Sequence, residues 1–188
     1  MHYTKQEYPV YGTGDYRSPA LSVRQENGSR IVNFTYRSHE IYGGKKNLTP
    51  LPAVYTENDE EAQTLEILLH DSLMDTDLVL SYTVFAEMPV LTRNSRIVQK
   101  GNQKIVLERA MSASVEFPDM DYEMVHLSGA WARERYVKNR KLEMGIQAVQ
   151  SLTGTCSSAE HNPFLALKRP HTTEAVSYTH LTLPTICS

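Results

Sequence analysis

The sequence predicts an all-β chain, an antiparallel β-sandwich with few or no helices, and three observations carry that expectation. Apolar residues recur at every second position in several short runs, which is the repeat of a strand with one buried face. Turn-forming Asn, Gly and Lys-Gly-Asn groups fall between those runs. No segment shows a capped apolar stripe at 3.6-residue spacing. The best helical candidate, from Asn58 to Leu69, passes into a strand pattern at Thr64.

Taken in chain order, Ala20 to Glu26 and Ser29 to Tyr36 read as a hairpin, because Asn27-Gly28 supplies the two positive-φ positions of a type I′ turn. Within it, Ile31 to Tyr36 carries β-branched or aromatic residues at most positions. Gly43-Gly44 ends the next stretch. Leu65, Ile67 and Leu69 make a further strand. Leu78, Leu80, Tyr82 and Val84 then share one side of Leu78 to Phe85, and Val90 to Val98 follows. After Lys100-Gly101-Asn102, the residues Ile105, Leu107, Met111, Ala113, Val115 and Phe117 fall on one face interrupted only by Arg109. They predict one long strand, bulged or straight. The pattern is an antiparallel meander.

With 188 residues the chain is sized for one domain or a piece of a larger one. Its hydrophobic share of 40% and charged share of 22% fit a packed chain. Nineteen Lys and Arg against 22 Asp and Glu leave a net charge of −3, so no nucleic-acid or anionic-membrane partner is expected. No run approaches the roughly 20 apolar residues of a membrane span, and Met1-His2-Tyr3-Thr4-Lys5 leads into no signal-like apolar stretch. The chain is expected to be neither secreted by a signal peptide nor anchored. Cys156 and Cys187 make neither a disulfide framework nor a zinc site unaided, although His161 lies five residues beyond Cys156. No metal or other cofactor is expected.

From Val176 the text changes to VSYTHLTLPTICS, which lacks the charges of what precedes it. It resembles one translated frame of a transposon-library sequencing adapter. Residues 176–188 are accordingly expected to be a non-native tail, with the natural sequence stopping by Ala175.

Few motifs point to chemistry. Gly12-Thr13-Gly14-Asp15-Tyr16-Arg17 has Arg where a dinucleotide loop needs Gly, and reads as a tight turn. Glu57-Asn58-Asp59-Glu60-Glu61 lacks the ligand spacing of a calcium loop and reads as a solvated acidic turn. Asp119 and Asp121 could divide acid and nucleophile roles as glycosidase carboxylates do, but such pairs are common in ordinary loops. No Gly-x-Ser-x-Gly elbow is present, and His39-Glu40 lacks the second His of a zinc helix. The sequons at Asn27, Asn33 and Asn47 carry meaning only in a secreted chain.

Trp131 stands apart. The sole Trp lies in Leu127-Ser128-Gly129-Ala130-Trp131-Ala132-Arg133-Glu134-Arg135, small residues before an indole and two arginines bracketing a carboxylate. An indole face stacks on the C–H face of a pyranose while Arg and Glu bond its hydroxyls, so Trp131, Arg133 and Arg135 are the candidate substrate-proximal residues. The competing reading is a core Trp beside a cross-strand Arg–Glu pair. If the segment is extended, Trp131, Arg133 and Arg135 share one face.

The segments YPVYGTGDYRSPAL, QENGSRI, LPAVYTENDEEAQTLEI, LSYTVF, RAMSASVEFPD, LSGAWARERYV and HNPFLALKRP, in this order from about Lys5 to Glu174, together resemble the N-terminal domain of bacterial α-galactosidases of glycoside hydrolase family thirty-six. The resemblance implies that residues 5–175 are part of a β-supersandwich domain. In such enzymes that domain precedes a (β/α)₈ barrel with two catalytic aspartates, and a C-terminal β domain follows. It further implies a retaining enzyme acting on terminal α-galactosides such as melibiose and raffinose, often a cytoplasmic tetramer, and so a homo-oligomer. The family's opening strands and its barrel have no counterpart here, so no residue of this chain is expected to be catalytic and the fragment alone is expected to be inactive. Cys156 looks like a one-residue insertion, which disturbs the register near His161. The alternative class is a stand-alone carbohydrate-binding or structural β-sandwich.

Overall fold

A computed structural model describes residues 5–12, 17–48, 53–151 and 160–179. Ten strands follow one another without a helix among these residues, and none therefore holds a helix long and apolar enough to cross a membrane. They are β1 (Leu21–Arg24), β2 (Thr35–Gly43), β3 (Ala62–Asp71), β4 (Thr76–Phe85), β5 (Leu91–Gln99), β6 (Val106–Ala110), β7 (Glu123–Ala130), β8 (Arg133–Lys141), β9 (Glu160–Lys168) and β10 (Ala175–Thr179). The chain divides into two compact units, Met1–Glu116 and Phe117–Ser188. The expected all-β, antiparallel architecture is what the structure has.

In the first unit, β2, β3, β4 and β5 form a four-stranded meander in sequence order, while β1 and β6 make a separate two-stranded sheet. All these ladders are antiparallel. The period-two pattern explains the meander directly. Leu78, Leu80 and Tyr82 of β4 stand opposite Leu69, Ile67 and Leu65 of β3, so one face of the sheet is continuously apolar. That face meets Leu21 and Val23 of the small sheet together with Tyr8, Val32 and Met74, forming a core between two layers. The opposite face carries hydroxyls and charges that satisfy one another. The Thr64 hydroxyl bonds the Gly44 carbonyl at 2.6 Å and Thr83 at 2.8 Å, and Glu66 accepts from Tyr42 at 3.0 Å and Lys46 at 3.1 Å. The β3–β4 turn is shaped by Asp71, whose carboxylate accepts the Leu73 and Met74 amides at 2.9 and 3.0 Å and the Asn33 amide at 2.6 Å.

Two expectations in this unit are corrected. Asn27-Gly28 does not close a type I′ hairpin. Gly28 alone has a positive φ, 86°, its amide bonds the Gln25 carbonyl, and the Gln25 amide bonds Ser29, which is a three-residue loop ending in a left-handed glycine. No strand follows it until Thr35, and β1 pairs instead with β6. The strand expected over residues 105–117 runs only from Val106 to Ala110. Its partner is the reason: β1 has four residues, and Pro19 just before Ala20 has no N–H to extend the ladder.

Glu108 on β6 ties this small sheet down. It accepts from Arg30 at 2.6 and 2.9 Å, from Arg24 at 2.9 Å and from Ser22 at 3.2 Å. The Arg30 bonds, against the upward push of desolvation and with Arg24 adding to them, draw the Glu108 carboxyl down to about 2. The folded value lies below the ordinary 4.5, so its stabilisation is complete above about pH 4.5 and is lost as pH falls through 2. The difference in melting temperature between the wild type and Glu108→Gln is thus expected to be flat from pH 7 to 5 and to close towards pH 2. A difference that stays constant to pH 2 would refute the pairing.

The second unit is one four-stranded sheet of order β10-β9-β7-β8, antiparallel throughout. Among its described residues Met124 and His126 of β7 and Ala166 of β9 are buried. The boundary expected at residue 176 falls inside β10, where Ala175 to Thr179 pair with Lys168 to Phe164. Such a ladder uses backbone groups common to every residue. Residues 180–188, with Cys187, lie outside the described residues, as do Cys156 and residues 13–16 of the glycine motif.

Candidate functional site

The Trp131 segment is the tip of the β7–β8 hairpin. Ala130 pairs with Arg133, so Trp131 and Ala132 form a two-residue loop, and Ala132 takes the positive φ of 61° that closes it. The register then shifts between Ser128 and Ala130, giving β8 an extra residue, and Arg135 absorbs it with φ 62°. Gly129 is required at this bulge. A Cβ there would lie 2.2 Å from the Arg133 carbonyl oxygen and 2.8 Å from the Glu134 Cα. The expectation of an extended segment with Trp131, Arg133 and Arg135 on one face is corrected, since the turn and bulge break the alternation.

The structure also decides between the two readings of the indole. Trp131 is 87% exposed, and Arg133, Glu134 and Arg135 are exposed as well. Among the described residues Glu134 takes part in no ion pair, so the core Trp with a cross-strand Arg–Glu pair is not what forms. Two L-residues in the left-handed region, each at a cost of about 1–2 kcal/mol, hold a large aromatic ring out into solvent. An indole so placed offers its face to whatever docks there, and Arg133 and Arg135 follow it in the same exposed hairpin.

The carboxylate pair is accounted for by packing. Asp119 accepts the Asp121 amide at 3.0 Å and a bidentate clamp from Arg169 at 3.2 and 3.0 Å. The Arg169 clamp, helped by the Asp121 amide, holds the Asp119 carboxyl below its ordinary value, so it stays ionised and cannot donate a proton as a general acid. Arg169 lies 4.5 Å over the Tyr122 ring. The arrangement fastens the loop before β7 to the end of β9. The acidic turn is likewise closed on itself: Glu61 accepts the Glu57 amide at 3.1 Å and the Asn58 side chain at 2.8 Å, and Asn58 accepts the Glu60 amide at 3.1 Å. An open cleft of about 410 Å³ beside it is lined by Asp59, Glu60, Gln63, Val84 and Phe85. Among the described residues no three His, Cys, Asp or Glu side chains converge as metal ligands.

The model of the glycosyl hydrolase family 36 N-terminal domain matches residues 1–177. The chain belongs to this family. It is 48% identical over 162 residues to α-galactosidase AgaA of Geobacillus stearothermophilus, a match that covers 86% of this chain and 22% of that protein. The crystal structure of AgaA superposes with a TM-score of 0.85 at 46% identity, over 88% of this chain and 23% of that one. Variants of the same enzyme, each with a TM-score of 0.84, 46% identity and the same coverage, were solved with raffinose and with stachyose. The chain thus spans less than a quarter of the length of the relatives it matches.

Two further features of this family 36 domain gave no signal in the sequence. Arg93 of β5 lies between the rings of Tyr8 and Tyr82, 5.2 and 5.1 Å from their centres, and reaches Glu7 at 3.1 Å. Burial, reinforced by the bond to Glu7, pushes the Tyr82 hydroxyl up to about 12. The register Tyr82↔Arg93 set this stack, and only the ladder reveals it. His126 of β7 stacks against His161 of β9 at 5.2 Å. Burial lowers its affinity for a proton, and Arg140, His161 and Lys138 add to the effect, so it stays neutral at pH 7. Thirty-five residues of sequence separate the two rings and hide the contact.

Proposed function

We propose that this chain works as the non-catalytic N-terminal domain of a retaining α-galactosidase that hydrolyses terminal α-galactosides of the melibiose and raffinose type, in the cytoplasm, as a homo-oligomer. The observation that supports this most strongly is the family 36 match over residues 1–177, together with relatives that are α-galactosidases. In this reading the catalytic aspartates belong to a barrel outside the chain, and the domain's part in chemistry is to shape the entrance. Trp131, Arg133 and Arg135 supply a stacking face and fixed-geometry donors at the outer substrate positions, in their own subunit or a neighbour.

The test uses the full-length enzyme and the chain side by side. The enzyme should hydrolyse a chromogenic α-galactoside and the chain should not, because nucleophile and general acid are both elsewhere. In the enzyme, Trp131→Ala should raise KM for raffinose several-fold with kcat and melting temperature nearly unchanged, the pattern of lost substrate binding at an exposed residue. An unchanged KM removes the hairpin tip from the substrate path. Turnover by the chain itself would sink the wider reading.

A further inference from the structure

β8 is the outer strand of its sheet, with β7 on one side and no strand on the other among the described residues. All nine of its residues are exposed, whereas β7 beside it buries Met124 and His126. Open edges of this length are ordinarily shortened, interrupted by proline, bulged along their run or studded with charge. Here the only irregularity lies near Arg135, and the ladder is regular from Tyr136↔Ser128 to Lys141↔Glu123. The strand RERYVKNRK carries five cations and one carboxylate in a chain whose net charge is −3. None of the five makes an ion pair among the described residues, while Arg24, Arg30, Lys46, Arg93, Lys100 and Arg169 all do. Arg140 donates instead to the Ala148 carbonyl at 2.8 Å, and Glu123 faces Lys141 across the ladder without reaching it. Tyr136 and Val137, on opposite faces, are 54% and 67% exposed.

Unpaired edge amides, apolar side chains on both faces and an excess of uncompensated positive charge together describe a receptor for an extended acidic strand. A second copy of β8 would bring five cations against five, which like-charge pairing opposes. A nucleic acid would use the charges and leave the amide edge and Val137 idle. We infer that β8 receives an extended acidic strand from the part of the longer enzyme outside this chain, so that its basic edge is the seam on which the rest of the subunit docks. This rests on the reading of the chain as one domain of a longer α-galactosidase. The plainer alternative is that the cations only guard an open edge against aggregation.

Amide hydrogen exchange of the chain and of the full-length enzyme separates these. Residues 136–141 should exchange at least about tenfold more slowly in the full-length enzyme. Lys138→Glu combined with Lys141→Glu should return them towards the rate in the chain carrying the same two substitutions, the reference needed because Lys141 faces Glu123 across the ladder. Equal rates in the two proteins would leave the edge open and overturn the inference. Protection that survives the double charge reversal would mean a partner strand that is not acidic, and protection that grows with protein concentration or with added nucleic acid would mean a different occupant. Either outcome also overturns it. α-Galactosidase activity is read independently, so an active enzyme with an unprotected β8 rejects the docking seam and keeps the proposed function.

Discussion

Leu78→Ala is expected to destabilise the first unit by about 2–5 kcal/mol, the range for emptying a closed core site. Leu78 is 1% exposed, lies on a strand flanked on both sides, and stands opposite Leu69 on β3 and Ile97 on β5. Its side chain belongs to the cluster that joins the meander to Leu21 and Val23 of the small sheet. Removing three carbons forfeits about 2.5 kcal/mol of transfer energy, and neighbours held by two ladders cannot collapse into the gap. A unit of this size has a total stability of about 5–15 kcal/mol, so the variant should lie close to unfolding. Urea denaturation followed by circular dichroism, with amide exchange in β3 to β5 as the local readout, gives the value. A loss below about 1 kcal/mol would mean that the two layers do not close on Leu78.

Gly129→Ala should be nearly as severe in the second unit, at about 3 kcal/mol. The atoms that a methyl group would strike, the Arg133 carbonyl oxygen and the Glu134 Cα, are backbone, and no side-chain rotation relieves the clash. The bulge must open and the Ala130↔Arg133 pair must part, which would also release the tip that holds Trp131. Gly28→Ala is the control. Its added carbon meets nothing within 4 Å, so only the φ of 86° is penalised, at about 1 kcal/mol. Comparing the exchange of β7 and β8 amides in the two variants isolates close approach from backbone conformation. Equal losses would show that the hairpin tolerates a wider bulge than the structure has.

The strands that were legible in the sequence are those with one buried face. Leu78, Leu80 and Tyr82 alternate with Val79, Ser81 and Thr83 because one set lines the core and the other meets polar neighbours, and the alternation is written into consecutive residues. The family was legible for a similar reason, since seven short segments in a set order carry it whatever the chain's partners are. The candidate site was legible only in part. The unusual composition around Trp131 drew attention to it, but periodicity assigned a straight strand where Gly129 and Arg135 make a bulge and the indole caps a turn. Arg93 and His126 were silent, because Tyr8 and His161, which complete their contacts, lie far from them in the chain.

By itself, then, the sequence determined the all-β class, the meander from β3 to β5 and membership of family 36, all properties of side-chain order along a single strand or block. Tertiary structure alone decided that β1 pairs with β6 across about eighty residues rather than with its neighbour, that the strand begun at Val106 ends at Ala110, and that Trp131 is exposed. A strand's alternation states only that one face is buried. Which strand lies beside it, how far the ladder runs and what covers a turn depend on the length and hydrogen-bonding capacity of a partner that the local pattern does not contain.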